Sequence, residues 1–191
     1  MRIVAGSAKG VRLAPVPDGV RPLSDRAREG LFSSLGAEVP GARVLDLFAG
    51  TGATGIEALS RGAEHAVFVE RSHHALSTVH ANLELARVVD RATATLANVG
   101  AFLSKGPAGA PFDLVFVDPP YELGSPELDE ILGGLASGWL AEDGWTVVLT
   151  RGTRSSTPVI PIHWSAAREL RYGDSLLTLF RPTVQPDDQE A

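Results

Sequence analysis

Val44-Leu45-Asp46-Leu47-Phe48-Ala49-Gly50-Thr51-Gly52 is an apolar run that breaks into glycines. Val44 to Phe48 reads as a strand covered on both faces, with a single acid inside it. Ala49 to Gly52 reads as a tight turn, because glycine adopts backbone angles that other residues avoid. Ala53 to Arg61 follows as a helix, with Ile56, Leu59 and Ser60 at core-like spacing and Gly62 as its stop. Ala66 to Val69 is a second strand and ends in Glu70. Strand, glycine loop, helix and acid-tipped strand make the opening unit of a doubly wound α/β sheet. The glycines let a ligand approach the backbone, and the acid can accept both hydroxyls of a ribose.

Gly50-Thr51-Gly52-Ala53-Thr54-Gly55 literally matches G-x-G-x-x-G, and Glu70 stands twenty residues after Gly50. That is the dinucleotide fingerprint, so a nicotinamide-dependent oxidoreductase is a rival reading. Asp46 argues against it. Four residues before the first glycine, its carboxylate would repel a pyrophosphate and attract a cationic ligand tail. A ligand with a ribose, a zwitterionic amino-acid tail and no phosphate fits better. S-adenosylmethionine is such a ligand.

The second decisive stretch is Phe112-Asp113-Leu114-Val115-Phe116-Val117-Asp118-Pro119-Pro120-Tyr121. Leu114 to Val117 reads as a buried strand, and two prolines then forbid further pairing because neither has an N–H to give. Pro119 also pushes Asp118 out of the helical region. The product is a stiff corner offering a carboxylate, backbone carbonyls and an aromatic ring. It suits a planar base with an exocyclic amine. Asp118 and the Pro119 carbonyl can each accept one N–H, and Tyr121 can stack on the ring. Such an amine is a poor nucleophile because its lone pair is delocalised. Holding both N–H bonds from one side favours a pyramidal nitrogen and aims the lone pair at an electrophile. The bland alternative is an ordinary strand exit in which Asp118 caps a turn. Hydride transfer assigns this corner no task.

The other elements complete the pattern. Ser72 to Ala86 is a helix with Leu76, Val79 and Leu83 on one side, and Asn82 reads as an exposed residue on it. His73, His74 and His80 lack the i, i+4 pairing of helical metal ligands, so no metal is expected. Ala92 to Leu96 is a strand. Asn98 beyond it can meet an adenine edge or N-cap a short helix over Gly100 to Ser104. Glu127 to Ala136 is a helix, Trp145 to Leu149 a fifth strand, and Pro158 to Ile162 a weak extended edge. Ala167 to Tyr172 and Ser175 to Phe180 flank Gly173-Asp174 as a hairpin. The sum is a mostly parallel seven-stranded sheet closed by a C-terminal antiparallel hairpin. Asp46 with Gly50, Glu70, Asn98 and Asp118 fall at the carboxyl ends of four successive strands, where such sheets bind ligands.

Ahead of the sheet, Arg2 to Ala5 and Val11 to Leu13 read as a small β-hairpin with Lys9 at its tip. Pro15 to Pro22 is a connector. Ser24 then N-caps a helix in which Ala27, Leu31, Phe32 and Leu35 share a face. The expected organisation is arm and connector over 1–21, one domain over 22–182 and an acidic tail over 183–191. Net charge is −6, yet residues 1–30 hold six basic side chains against three acidic ones. A basic arm on an acidic chain is compatible with nucleic acid at one end. Apolar residues make 44% and charged residues 21%, the balance of a globular chain. No apolar run approaches a membrane span, and Met1 to Gly6 lacks the apolar core of a signal peptide. Without cysteine there is no disulfide, thiolate nucleophile or Cys-ligated metal, and a cytoplasmic location is expected.

Asp46 to Gly52 resembles the cofactor loop of Rossmann-like, class I S-adenosylmethionine-dependent methyltransferases. Asp118-Pro119-Pro120-Tyr121 resembles the (Asn/Asp)-Pro-Pro-(Tyr/Phe) motif of amino-group methyltransferases. More specifically, Arg2-Ile3-Val4-Ala5-Gly6, Gly10-Val11-Arg12-Leu13 and Arg21-Pro22-Leu23-Ser24-Asp25-Arg26-Ala27-Arg28-Glu29 resemble the opening of the RsmD-type bacterial 16S rRNA (guanine-N2)-methyltransferase family. Leu23-Ser24 departs from the two threonines common there, and Asn98 from the aspartate frequent in related enzymes. The resemblance implies transfer of a methyl group from S-adenosylmethionine to the N2 amine of a guanine in 16S rRNA, within an assembled or partly assembled small ribosomal subunit. It implies cofactor contacts at Asp46, Phe48, Ala49, Gly50, Thr51, Gly52, Glu70, Arg71, Asn98 and Val99. Asp118, Pro119, Pro120 and Tyr121 would hold the target base, and Arg2, Lys9, Arg12, Arg21, Arg26 and Arg28 would face RNA. The nearest rival is a DNA adenine-N6 or other amino-group methyltransferase.

Overall fold

The computed structural model describes residues 1–15 and 23–183. Helix α1 spans Asp25–Leu35, strand β1 Arg43–Leu47, α2 Ala53–Ser60, β2 His65–Glu70 and α3 His73–Ala86. Strand β3 spans Ala92–Leu96, α4 Val99–Leu103, β4 Leu114–Val117 and α5 Ser125–Leu135. Strands β5 (Thr146–Gly152), β6 (Trp164–Tyr172) and β7 (Ser175–Pro182) close the chain. The seven strands form one sheet in the order β3-β2-β1-β4-β5-β7-β6. The first five run parallel, and β7 lies antiparallel between β5 and β6. The expected sheet and its antiparallel closure are both present. The extended segment expected at Pro158 to Ile162 is not a strand, since its prolines remove two of the donors that a ladder needs.

The two-residue period of the strands sorts the core into two layers. Val44, Phe68, Leu114, Phe116 and Val148 face α1, α2 and α3. Leu45, Leu47, Val115, Val117, Val147 and Leu149 face α4 and α5. The central strands β1 and β4 therefore bury both faces, which is why they read as largely apolar runs, whereas β3 at the sheet edge stays half-exposed and carries threonines. Ser24 caps α1 by accepting from Ala27 N at 3.1 Å. Ala27, Leu31, Phe32 and Leu35 point inward as their spacing predicts. Order along the sheet reverses about β1, which has β2 on one side and β4 on the other. That is the topological switch point, where a crevice opens at the carboxyl ends.

The N-terminal hairpin forms, with Ile3 N donating to Val11 O at 3.0 Å and Gly10 N to Ile3 O at 2.9 Å. It lies against the domain instead of projecting from it. Ile3, Ala8 and Leu13 are buried in the same layer as α2. Glu57 on α2, fully buried, accepts from Val4 N at 2.8 Å and Ala5 N at 3.0 Å. Ser60 accepts from Ala8 N and donates to Ala5 O. The connector over 16–22, including Arg21, and the tail over 184–191 lie outside the described residues. Among the described residues no helix is long and apolar enough to cross a membrane.

Candidate active site

A cavity of about 370 Å³ opens at the switch point, within the usual size of small-ligand sites. It brings together Phe48 to Thr51, Glu70 with Arg71, Asn98 with Val99, and Asp118 to Tyr121. Four strand ends therefore converge as their sequence positions predict. Asp46 and Gly52 do not line it.

The loop over β1 turns by strain and by missing side chains. Phe48 holds φ +59°, a rare angle for a residue with a Cβ, and Gly50 and Gly52 hold +57° and +73°. At Gly55 a Cβ would meet Phe68 Cε1 at 2.4 Å, so glycine lets α2 rest on β2. All three glycines of the fingerprint are thus required by the backbone path, whatever ligand it serves. Asp46 is buried under the loop and accepts from Gly55 N at 2.9 Å. Its position corrects the expectation of a direct ligand contact, because its side chain faces α2 within the sheet. Burial pushes its carboxyl up to about 8; the Gly55 hydrogen bond opposes this, and the Asp118 and Glu70 charges add to it.

A carboxyl that holds its proton more tightly when folded contributes stability at low pH. The contribution is fully present below the ordinary value of 3.8 and is lost as pH rises through about 8. Asp46→Asn keeps the acceptor for Gly55 and removes the titration. The melting temperature of the wild type should therefore fall relative to Asp46→Asn between about pH 5 and pH 8. Parallel melting curves across that window would show that Asp46 does not titrate there.

Glu70 spends its carboxylate on the backbone. It accepts from Gly50 N at 2.9 Å and Ser72 N at 2.8 Å. Each oxygen keeps a second lone pair for a ribose hydroxyl. Asn98 takes the capping alternative, accepting from Ala101 N at 3.1 Å, and its amide N–H₂ stays available as a donor. Asn82 is fully buried, against expectation. It donates to Thr51 O at 2.8 Å and accepts from Ala14 N at 2.7 Å, tying the hairpin to the cavity loop. The signal was present: Val79, Asn82, Leu83 and Ala86 share one buried helical face.

Beyond β4, Asp118 N donates to Leu47 O at 3.4 Å and the prolines then end the ladder. The Asp118 side chain makes no hydrogen bond among the described residues and is partly open to the cavity. Surrounding atoms nonetheless crowd its carboxyl, and burial pushes it up to about 7. Tyr121 is exposed, with its ring edge against Gly152, where a Cβ would stand 3.0 Å from Tyr121 Cε1. Thr150 and Arg151 of β5 also reach the cavity. Strand pairing alone brings them there, and nothing local in the sequence marks them.

Among the basic residues, Arg2, Lys9, Arg12 and Arg26 are exposed. Arg28 is not. It is fully buried, bonded to Leu23 O, Arg2 O and Asp25, so it fastens α1 to the hairpin and has no surface to offer RNA. Among the described residues no group of three or more histidine, aspartate or glutamate side chains is placed to hold a metal ion.

A sheet of this order, with a cavity built from a glycine loop, an acid-tipped β2 and a proline corner after β4, defines the Rossmann-like class I methyltransferase fold. Residues 1–181 match the family model described as Conserved hypothetical protein 95, and the chain belongs to that family. It is 36% identical over 188 residues to "Ribosomal RNA small subunit methyltransferase D" of Escherichia coli K12, covering 97% of this chain and 91% of that one. It is 40% identical over 126 residues to the "Putative rRNA methyltransferase YlbH" of Bacillus subtilis, covering 64% and 67%. The solved structure of a putative methyltransferase from Escherichia coli superposes with TM-score 0.84 at 35% identity, covering 97% of this chain and 99% of that one.

Proposed function

We infer that this protein transfers a methyl group, directly and in line, from S-adenosylmethionine to the exocyclic N2 amine of a guanine in 16S rRNA. One observation carries the reading. The uncommitted Asp118 carboxylate and the Pro119 carbonyl stand at the same cavity as the glycine loop and Glu70. When bound, S-adenosylmethionine supplies an electrophilic methyl group. The residues fit such a ligand: Gly50 leaves the loop backbone bare, Glu70 offers lone pairs to a ribose, and Asp118, when ionised, sets negative charge near a cationic sulfur. Asp118 and Pro119 would accept the two N–H bonds of the amine. Tyr121 would stack on the base, which enters unpaired.

Labelled S-adenosylmethionine and small subunits from a strain lacking this gene test the reading. N2-methylguanosine at one position is the expected product. N6-methyladenine in DNA instead would favour the adenine rival. Stabilisation by NAD and not by S-adenosylhomocysteine in a thermal shift would favour the oxidoreductase.

The exposed basic side chains of the hairpin and of α1 make a small footprint for a discriminating RNA contact. The reading therefore includes an assembled or partly assembled subunit as substrate, whose proteins supply further surface. Equal rates on protein-free 16S rRNA would remove that part.

A further inference from the structure

Arg151 lies near the end of β5, beside the proline corner. Strands β4 and β5 pair in parallel with Val117 opposite Leu149. Continued by two residues, that register sets Pro119 beside Arg151. Arg151 lines the main cavity with Asp118 and Tyr121. It also lines a smaller adjoining recess walled by Pro119, Pro120, Leu123 and Leu128. Its Nη1 is buried and has no hydrogen-bond partner, and no carboxylate pairs with it among the described residues. Nη1 is closed to solvent, and a buried guanidinium N–H without an acceptor is costly, so a base that enters the cavity and displaces its wall gains by supplying one.

The chemistry of the base supplies one. Guanine carries the N2 amine at one end of its pairing edge and the O6 acceptor at the other. The corner offers acceptors to the amine, and Arg151 offers a donor one strand away. Adenine carries an amine at position 6 and nothing at position 2. With that amine on Asp118, adenine has no oxo group to meet the arginine. A phosphate is a poorer match, because it prefers a solvated mouth, and half of this recess's lining is proline and leucine.

We propose that Arg151 is a specificity-determining residue that donates to the O6 side of the target guanine and so selects guanine over adenine; this rests on the guanine-N2 reading above. The test uses small subunits reconstituted with 16S rRNA carrying either guanine or 2-aminopurine at the modified position. 2-Aminopurine keeps the N2 amine and lacks O6. The wild type should methylate the 2-aminopurine subunit roughly 10- to 100-fold more slowly in kcat/KM, the usual discrimination of a polar base contact. Arg151→Met should slow the guanine subunit by a similar factor and lose no more on 2-aminopurine. If methionine prevents folding, Arg151→Leu, which likewise has no donor for O6, carries the same comparison. A variant that slows both subunits equally, as a phosphate contact or a purely structural arginine would, overturns the proposal. So does a wild type that treats the two bases alike. Absence of N2 methylation on the guanine subunit is read separately, in the wild-type arm alone, and overturns the underlying function.

Discussion

Asp118→Ala should lower kcat by roughly 10³-fold, the scale seen when a preorganised polar contact to the reacting group is removed. Binding of S-adenosylhomocysteine, followed by thermal shift, should stay close to that of the wild type, because the glycine loop and Glu70 are untouched. Asp118→Asn separates two roles for the same carboxylate. An amide still accepts one N–H through its oxygen, so it should retain a measurable fraction of the rate if the residue positions the amine. A general base would be lost equally in both variants. The carboxylate is the form that accepts both the amine and the cationic charge beside it. The free-enzyme rate, kcat/KM, should therefore rise with pH through about 7, where burial has moved this group. Full activity in Asp118→Ala would remove the positioning role.

The second large effect lies away from the cavity. Glu57→Ala should cost about 3 kcal/mol or more, since it strips a buried carboxylate from three donors at once. Those donors are Val4 N, Ala5 N and Arg61 Nε, all within 3.0 Å. For a chain of this size that loss lowers the melting temperature by roughly 6–12 °C. It should also free the hairpin, which calorimetry with hydrogen exchange at Val4 and Ala5 would register. Methylation of RNA should fall more than affinity for S-adenosylhomocysteine, because the hairpin carries exposed Arg2, Lys9 and Arg12 while the cavity lies at the strand ends. A melting temperature equal to that of the wild type would show that the hairpin is held by its apolar contacts and its bonds to Ser60, without need of Glu57.

Much of this molecule is written locally. Val44 to Glu70 could hardly be anything other than strand, turn, helix and strand, because glycine backbone freedom, helical spacing and an apolar run each act over a few residues. Asp118-Pro119-Pro120-Tyr121 ends its strand by covalent chemistry alone. Parallel strands then force Gly50, Glu70, Asn98 and Asp118 to one end of the sheet. The sheet, its closing hairpin and the outline of the cavity are for that reason legible in the sequence alone.

What tertiary structure decided was the fate of polar groups between elements. Arg28 reads as one more basic side chain of a basic segment, yet it is enclosed and bonded to the hairpin, because α1 packs against Arg2, 26 places away. Asp46 reads as a ligand contact, and burial beneath Gly55 makes it a brace for the loop. Asn82, Glu57 and Ser60 gain their partners from a hairpin more than fifty residues distant, and Arg151 meets the proline corner only through β4–β5 pairing. Local sequence determines where the backbone turns and which faces are apolar. Whether a charged or amide side chain ends in water, in a cavity or against a distant backbone depends on the desolvation and hydrogen bonds that long-range packing imposes.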